Sequence, residues 1–383
     1  MPENKSRRIA ETGMSKTYLY QINVTRDCNL RCTHCYIHSL TKKMSGKMEE
    51  DSVIKIATGI AKHMGEIGYD HAEIHLIGGE PTMLGPVFFE NVIPKVREIL
   101  KSENYSYELC LVSNLMHPEI VRIASLFDRV NTSWEPVSRF PKPKLEQMWR
   151  DSMQKLREAG IKFGVTTSVT KPVVNMGAEK ILEYLHGQEG IKNIHFGFFI
   201  PSGDGLENKG VIFPEFHETS AFLIDAAEWY LRHREDPELF VNPAESMLAA
   251  IHTNTPLDDI VCPIIAGSMD IDWNGNAATC LEAGGATDAK WSGNVIQTSV
   301  SEVANTQSFR RDVIKAARPN RACIGCDAYD FCRSGCGVLA RHWEPGKDQD
   351  CPGFKGFIDH MRSRHAEGLR PKYESYVGGS VGC

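Results

Sequence analysis

The chain has 383 residues, a net charge of −6, 42% hydrophobic and 24% charged residues. This is globular composition, long enough for one large domain and a smaller one, and it excludes a disordered or fibrous chain. The negative balance gives no support to a nucleic-acid partner or an anionic membrane surface. No apolar run is long enough to span a bilayer, and the polar stretch Met1–Lys16 lacks the apolar core of a signal peptide. A cytoplasmic location with no membrane partner is expected.

The first half alternates strand-like and helix-like segments. Tyr18–Val24 is apolar and partly β-branched, hence a strand. Asp51–Met64 carries Val53, Ile54, Ile56, Ala57, Ile60, Ala61 and Met64 at helical spacing. Ala72–Ile77 then reads as a strand, Val87–Leu100 as a helix, Tyr107–Ser113 as a strand and Pro118–Leu126 as a helix. Arg129–Ser133 is a strand, Leu145–Glu158 a helix ended by Gly160, Phe163–Val169 a strand, Ala178–His186 a helix and Ile194–Ile200 a strand. Strands alternating with helices predict an α/β fold with a parallel sheet and right-handed crossovers. Six strands suit a partial (β/α)6 barrel better than a closed eight-fold one. Pro201–Asn208 is Gly- and Pro-rich and reads as a loop. Phe216–Arg234 and Pro243–His252 read as helices. Beyond Cys262 the periodicity fades and cysteines dominate.

The 12 cysteines admit disulfides or metal. Clustered spacings in a large intracellular chain favour metal, because reducing pools keep cytosolic thiols free. Cys28, Cys32 and Cys35 follow the first strand with spacing C-x3-C-x2-C. Three thiolates hold three irons of a cubane [4Fe–4S] cluster and leave the fourth open to a substrate or cofactor. A zinc knuckle completed by His34 or His38 is the alternative. Gly78-Gly79-Glu80-Pro81 ends the second strand; the two glycines are expected to let a ligand approach the backbone closely, and Glu80 to accept from an ammonium. Ser113 and Asn114 end strand three. Ser133 and Glu135 end strand four, with Arg139 beyond, either pairing a ligand carboxylate or lying solvated in a loop. Pro201, Ser202 and Gly203 end strand six.

The cysteine spacing, Tyr36 directly after it and the GGEP turn resemble the radical S-adenosylmethionine (radical SAM) superfamily. The later array runs Cys262, Gly275, Cys280, Cys323-x2-Cys326-x5-Cys332-x3-Cys336, then Cys351. It resembles the SPASM domain that follows some radical SAM barrels, and the two resemblances cover about Tyr18 to Pro352. They imply S-adenosylmethionine as cofactor, contacted by Tyr36, Gly78, Gly79, Glu80, Ser113, Asn114, Ser133 and Arg139. They also imply three [4Fe–4S] clusters. Cys28, Cys32 and Cys35 would hold the first. Cys262, Cys280 and Cys336 would hold the first auxiliary cluster, and Cys323, Cys326, Cys332 and Cys351 the second. A pair of zinc ribbons is the alternative for this array. The hairpin Ile271–Thr279 would fold over the first auxiliary cluster. Its fourth ligand is open: residues 256–261 hold no cysteine, leaving Asp258, Asp259 or Cys383 as candidates. Cys110 reads as a buried small hydrophobe.

Implied domains are an extension over 1–17, a radical SAM partial barrel over 18–203, a helical connector over 204–260, a SPASM auxiliary-cluster domain over 261–356, and a C-terminal helix and tail over 357–383. The implied activity is reductive cleavage of S-adenosylmethionine followed by oxidative modification of a substrate. A ribosomally made peptide or protein side chain is the preferred substrate, crosslinked or dehydrogenated. A small molecule such as an aminosugar or alcohol is the runner-up, because only 17 residues precede the first strand and a leader-binding module would have to be a separate protein. A low-potential reductant such as flavodoxin or ferredoxin is the further partner. Glu282, two residues past Cys280, is the candidate catalytic base, the alternative being a surface glutamate. His186 and His233 are expected on exposed helix faces.

Overall fold

The computed structural model describes residues 16–257 and 260–372. Asp258, Asp259 and Cys383, the candidate fourth ligands, lie outside the described residues.

Six strands form where the sequence places them: β1 (Thr17–Thr25), β2 (His71–Gly78), β3 (Ser106–Val112), β4 (Arg129–Ser133), β5 (Phe163–Val169) and β6 (Asn193–Phe198). Each pairs with the next in parallel. Helices connect them. Glu50–Ile67 buries Val53, Ile56, Ala57, Ile60 and Met64 against the sheet, and Gly68 ends it in the left-handed conformation that glycine adopts without steric cost. Pro86–Leu100 and Pro143–Glu158 begin with proline in the first turn, where the missing N–H has no helical partner to lose.

The sheet extends beyond the predicted six at both edges. A three-residue strand, β7 (Phe240–Asn242), joins β6 in parallel inside the expected helical connector. At the other edge β8 (Ser268–Ile271) pairs in parallel with β1, and β9 (Asn276–Ala278) and β10 (Gly293–Asn294) follow antiparallel. The order is β10-β9-β8-β1-β2-β3-β4-β5-β6-β7. The predicted hairpin around Asn274-Gly275 is therefore present, and it is stitched onto the barrel sheet through β1. Gly275 sits at φ 85°, as the tight turn requires. The expected loop Pro201–Asn208 also differs: it contains the short helix Gly203–Glu207.

The strands alternate in character. In β1, Tyr18, Tyr20, Ile22 and Val24 belong to the apolar core beneath the helices, while the intervening Gln21 and Asn23 are buried but polar. In a strand successive side chains point to opposite faces, so the second face, lining the barrel interior, is polar. Glu73 and His75 on β2, Asn131 on β4 and Thr166 on β5 continue it. No described helix is long and apolar enough to cross a membrane.

Candidate active site

The cysteine loop begins where β1 ends, at the carboxyl end of the parallel strands. Cys28 N–H donates to Asp27 Oδ1 at 2.8 Å, and Leu30 N–H donates to the Cys28 sulfur at 3.3 Å. The GGEP turn packs directly on this loop. Gly79 N–H donates to Thr25 O at 2.9 Å and Glu80 N–H to Asp27 O at 2.8 Å. A Cβ on Gly78 would collide with the Thr25 carbonyl, and one on Gly79 with those of Arg26 and Asp27. The double glycine thus admits the cysteine loop, and both glycines also face the cavity beside it.

Glu80 is 1% exposed. Its Oε1 accepts from Thr82 N (3.1 Å), Thr82 Oγ1 (2.5 Å) and Ser113 Oγ (2.8 Å), and its Oε2 from Asn114 N (2.7 Å). Burial raises its pKa, and these donors partly offset the rise. Asn114 reaches on to Asn29 Oδ1 at 2.6 Å. The carboxylate therefore cements strands two and three to the cysteine loop while Oε2 keeps a lone pair.

Cys28, Cys32, Cys35, Tyr36, Gly78, Gly79 and Glu80 line one cavity of about 140 Å³, which also takes in Ser113, Asn114, Ser133, Arg139 and Glu282. All the residues that the sequence singled out as cofactor contacts converge on it. Arg139 is not a solvated loop residue. Its Nε donates to Glu135 Oε2 at 2.5 Å; Glu135 is fully buried and the Arg139 side chain is 16% exposed. Glu135 also accepts from Ser168 N at 3.1 Å and lies 3.5 Å from His34 Nε2. Burial pushes the His34 pKa down to about 4, so its imidazole is neutral near pH 7.

Glu282 is not a surface glutamate either. It is 8% exposed and accepts a hydrogen bond from Ser202 Oγ. Burial raises its carboxyl to about 7. It sits on a short helical turn, Leu281–Gly284, that closes over the cysteine loop. Cβ atoms on Gly203 and Gly285 would both collide with the Tyr36 carbonyl, so glycines hold that loop from two sides. Tyr36 OH donates to Asn23 Oδ1 at 3.0 Å, and Asn23 Nδ2 to Asp270 Oδ1 at 2.6 Å. Arg26, 2% exposed, donates to Asp272 Oδ1 at 2.7 Å and to the Gly284 carbonyl. None of Asn23, Arg26, Asp270 and Asp272 stood out in the sequence. For Asn23, Asp270 and Asp272 the signal was there, since polar residues at every second position of an otherwise apolar strand mark a polar interior face; Arg26, past the end of β1, carries no such signal.

The later cysteines gather in two sets. Cys280 is half-buried; desolvation raises its pKa, and the nearby charges of Glu282, Cys336 and Cys262 raise it further. Cys332 is coupled in the same way to Cys323 and Cys326, and Cys351 to Cys332. A Cβ on Gly353 would touch the sulfurs of both Cys332 and Cys351. No described cysteine forms a disulfide. Burial pushes Cys28 and Cys336 up to about 12 and Cys351 to about 11, so these thiols ionise only where positive charge is supplied. Cys110 is fully buried in β3, as expected. His233 is exposed and stacks on Trp229 at 3.9 Å, and His186 is half-buried against Ile191 O at 3.0 Å.

The radical SAM superfamily profile matches residues 22–185. The cysteine-type anaerobic sulfatase-maturating enzyme of Clostridium novyi (strain NT) is 20% identical over 359 residues, 87% of this chain and 92% of its own. That of Clostridium perfringens is 32% identical over 78 residues, 20% of each chain. The AdoMet-dependent heme synthase of Nitratidesulfovibrio vulgaris is 25% identical over 232 residues, 57% of this chain and 58% of its own. The chain thus spans a fifth and somewhat over half of the length of these last two. In fold it is similar to anSMEcpe with bound AdoMet, with a TM-score of 0.74 at 16% identity over 92% of this chain and 98% of that one. Streptococcus suis SuiB bound to precursor peptide SuiA gives 0.61 at 14% identity over 86% and 74%. With the cysteine loop and the GGEP turn inside the matched segment, residues 22–185 are a radical SAM superfamily segment, and the chain around it is similar to the sulfatase-maturating enzymes.

Proposed function

We propose that this chain cleaves S-adenosylmethionine reductively and uses the resulting radical to oxidise a peptide or protein side chain. The observation that carries the reading is one cavity shared by a three-thiol loop, the GGEP turn and the buried carboxylate of Glu282. Cys28, Cys32 and Cys35 would hold a [4Fe–4S] cluster with one iron free for the cofactor. Cys262, Cys280 and Cys336 would hold a first auxiliary cluster and Cys323, Cys326, Cys332 and Cys351 a second. When bound, these groups supply a primary carbon radical able to break an unactivated C–H bond, and a sink for the electron that leaves the oxidised substrate.

The chain's own residues do the rest. Glu80 Oε2 accepts from the cofactor's amino group beside Ser113 and Asn114. Arg139, held in place by Glu135, presents its guanidinium to the cofactor carboxylate. Tyr36, Gly78, Gly79 and Ser133 wall the site and exclude water. Glu282, oriented by Ser202, accepts the proton released as the substrate is oxidised; it stands beside Cys280, where the electron would leave. A peptide substrate is supported by the peptides named with anSMEcpe and SuiB. A small-molecule substrate, the second reading, is supported by the polar barrel interior, which suits a hydroxylated ligand. Flavodoxin or ferredoxin would supply electrons, and a separate protein would present any leader.

The test is anaerobic reconstitution, addition of dithionite and S-adenosylmethionine, and mass spectrometry for 5′-deoxyadenosine. About 12 iron per chain are expected for three cubanes. Zinc in place of iron, with no 5′-deoxyadenosine, sinks the proposal. Incubation with cysteine- or serine-containing peptides against aminosugars then separates the two substrate readings.

A further inference from the structure

Lys42 has no role in the reading above, yet it is 4% exposed and lines the same cavity as the three cysteines. Lysine is almost never buried unless paired. It stands on the short helix Ser39–Lys43, which His38 caps by accepting from Leu40 N. Asp204 anchors both this helix and the lysine. Its Oδ1 accepts from Ser39 N at 2.7 Å and Ser39 Oγ at 2.8 Å, and its Oδ2 lies 3.3 Å from Lys42 Nζ. The helix bearing Asp204 is in turn fastened to the cysteine loop, Gly205 N–H donating to Cys35 O at 3.0 Å.

An ammonium carries three donors, and Asp204 takes one of them at long range. The other neighbour of the charge is the Cys35 thiol. The ion pair with Asp204 holds the ammonium on one side, and the cavity of the three cysteines lies on the other. Cys32 lines the same cavity, with Arg139 as its second cation. Reduction adds a negative charge to a cluster. A fixed cation beside a ligand sulfur, in a site of low dielectric, favours the reduced form, and charge and hydrogen bonds at the sulfurs are among the protein's levers on cluster potential.

We propose that Lys42, set in position by Asp204, raises the reduction potential of the cluster held by Cys28, Cys32 and Cys35 and so eases the one-electron reduction that precedes cofactor cleavage. Lys42 is a positioning charge, not a ligand. The inference rests on the three-thiol loop holding a cluster.

The experiment is a dithionite redox titration of the reconstituted full-length protein, followed by EPR on the signal that changes when S-adenosylmethionine is added. Lys42→Met keeps the stem and removes the charge. At the native midpoint its reduced-to-oxidised ratio is expected to fall about tenfold, equal to about 59 mV for one electron. Lys42→Arg is expected to titrate near the native value. Asp204→Asn leaves the ammonium without its counter-charge and is expected to move the ratio the opposite way. A Lys42→Met midpoint equal to native overturns the inference, as does a shift of the same sign in Lys42→Met and Asp204→Asn. If Lys42→Met does not load iron, the sign of the Asp204→Asn shift decides alone. A protein in which no cluster responds to S-adenosylmethionine refutes the underlying reading instead, a result distinct from a responsive cluster that does not move.

Discussion

The two parts of the sheet-forming chain are held together by different means. From β1 to β7 the molecule has parallel strands, most of five to nine residues, under long helices. Their outer faces feed one apolar core in which Tyr20, Phe89 and Trp149 are fully buried. From Cys262 to Cys351 the strands have four, three and two residues, and apart from Gln307–Ala317 the helices are turns of three to five. Elements that short bury too little apolar surface to offset the entropy of ordering them. What they share is seven cysteines. The first part is built to fold on hydrophobic burial; in the reading proposed above, the second would be organised by the clusters its cysteines hold.

The largest effect expected from this contrast is at the first cysteine loop, which belongs to the self-sufficient part. Cys32→Ala is expected to abolish 5′-deoxyadenosine formation and remove about 4 iron per chain, while circular dichroism and the thermal transition of the barrel stay native. Cleavage that survives at full iron content would break the assignment of the loop.

Next in size is the loss of structure in the second part. Cys332 is buried among Cys323 and Cys326 and against Gly353. Metal binding in small sites contributes on the order of 10 kcal/mol to folding. Cys332→Ala, or chelation of the iron, is expected to strip hydrogen-exchange protection from residues 320–358 and leave β2–β5 protected. Equal loss in both parts would show that the two fold as one unit and that the comparison is wrong.

Glu282 stands where the parts meet, and its effect is on chemistry. Glu282→Gln keeps the Ser202 contact and removes the base. Substrate oxidation is expected to fall about 100-fold, within the usual range for a general base, with cofactor cleavage near native. Parallel loss of both would make Glu282 structural.

The same contrast explains what the sequence discloses. The six barrel strands and their helices are local patterns of period 2 and 3.6, and β4 and β5 match residue for residue. The cysteine arrays are legible because their short, regular spacings stand out in the sequence itself. β7 escapes because three residues carry no periodicity, and the β1–β8 pairing because it joins segments about 250 residues apart. Burial of Arg139, Glu282 and Lys42 is set by which face of a loop meets the barrel mouth. That is a tertiary fact with no local signature.

The smallest expected effect is a pH dependence at the seam. Asp270 on β8 faces Asn23 on β1, with Arg26, Asp272 and Glu282 as its charged neighbours. Burial raises its carboxyl from 3.8 to about 7, Arg26 and Asn23 opposing, Asp272 and Glu282 assisting. The folded-state pKa lies above the unfolded one, so the fold favours the neutral form. The stability tied to it is fully present below about pH 4 and is lost as pH rises through about 7. At about 1.4 kcal/mol per unit the loss is about 4 kcal/mol at most. Urea midpoints of the native protein should therefore fall between pH 4 and 7, and those of Asp270→Asn should fall less. Because Asp270 ties the cysteine-rich part to β1, hydrogen exchange at high pH should loosen β8 before β2. A native-like slope in Asp270→Asn would show that the β1–β8 seam titrates through other groups.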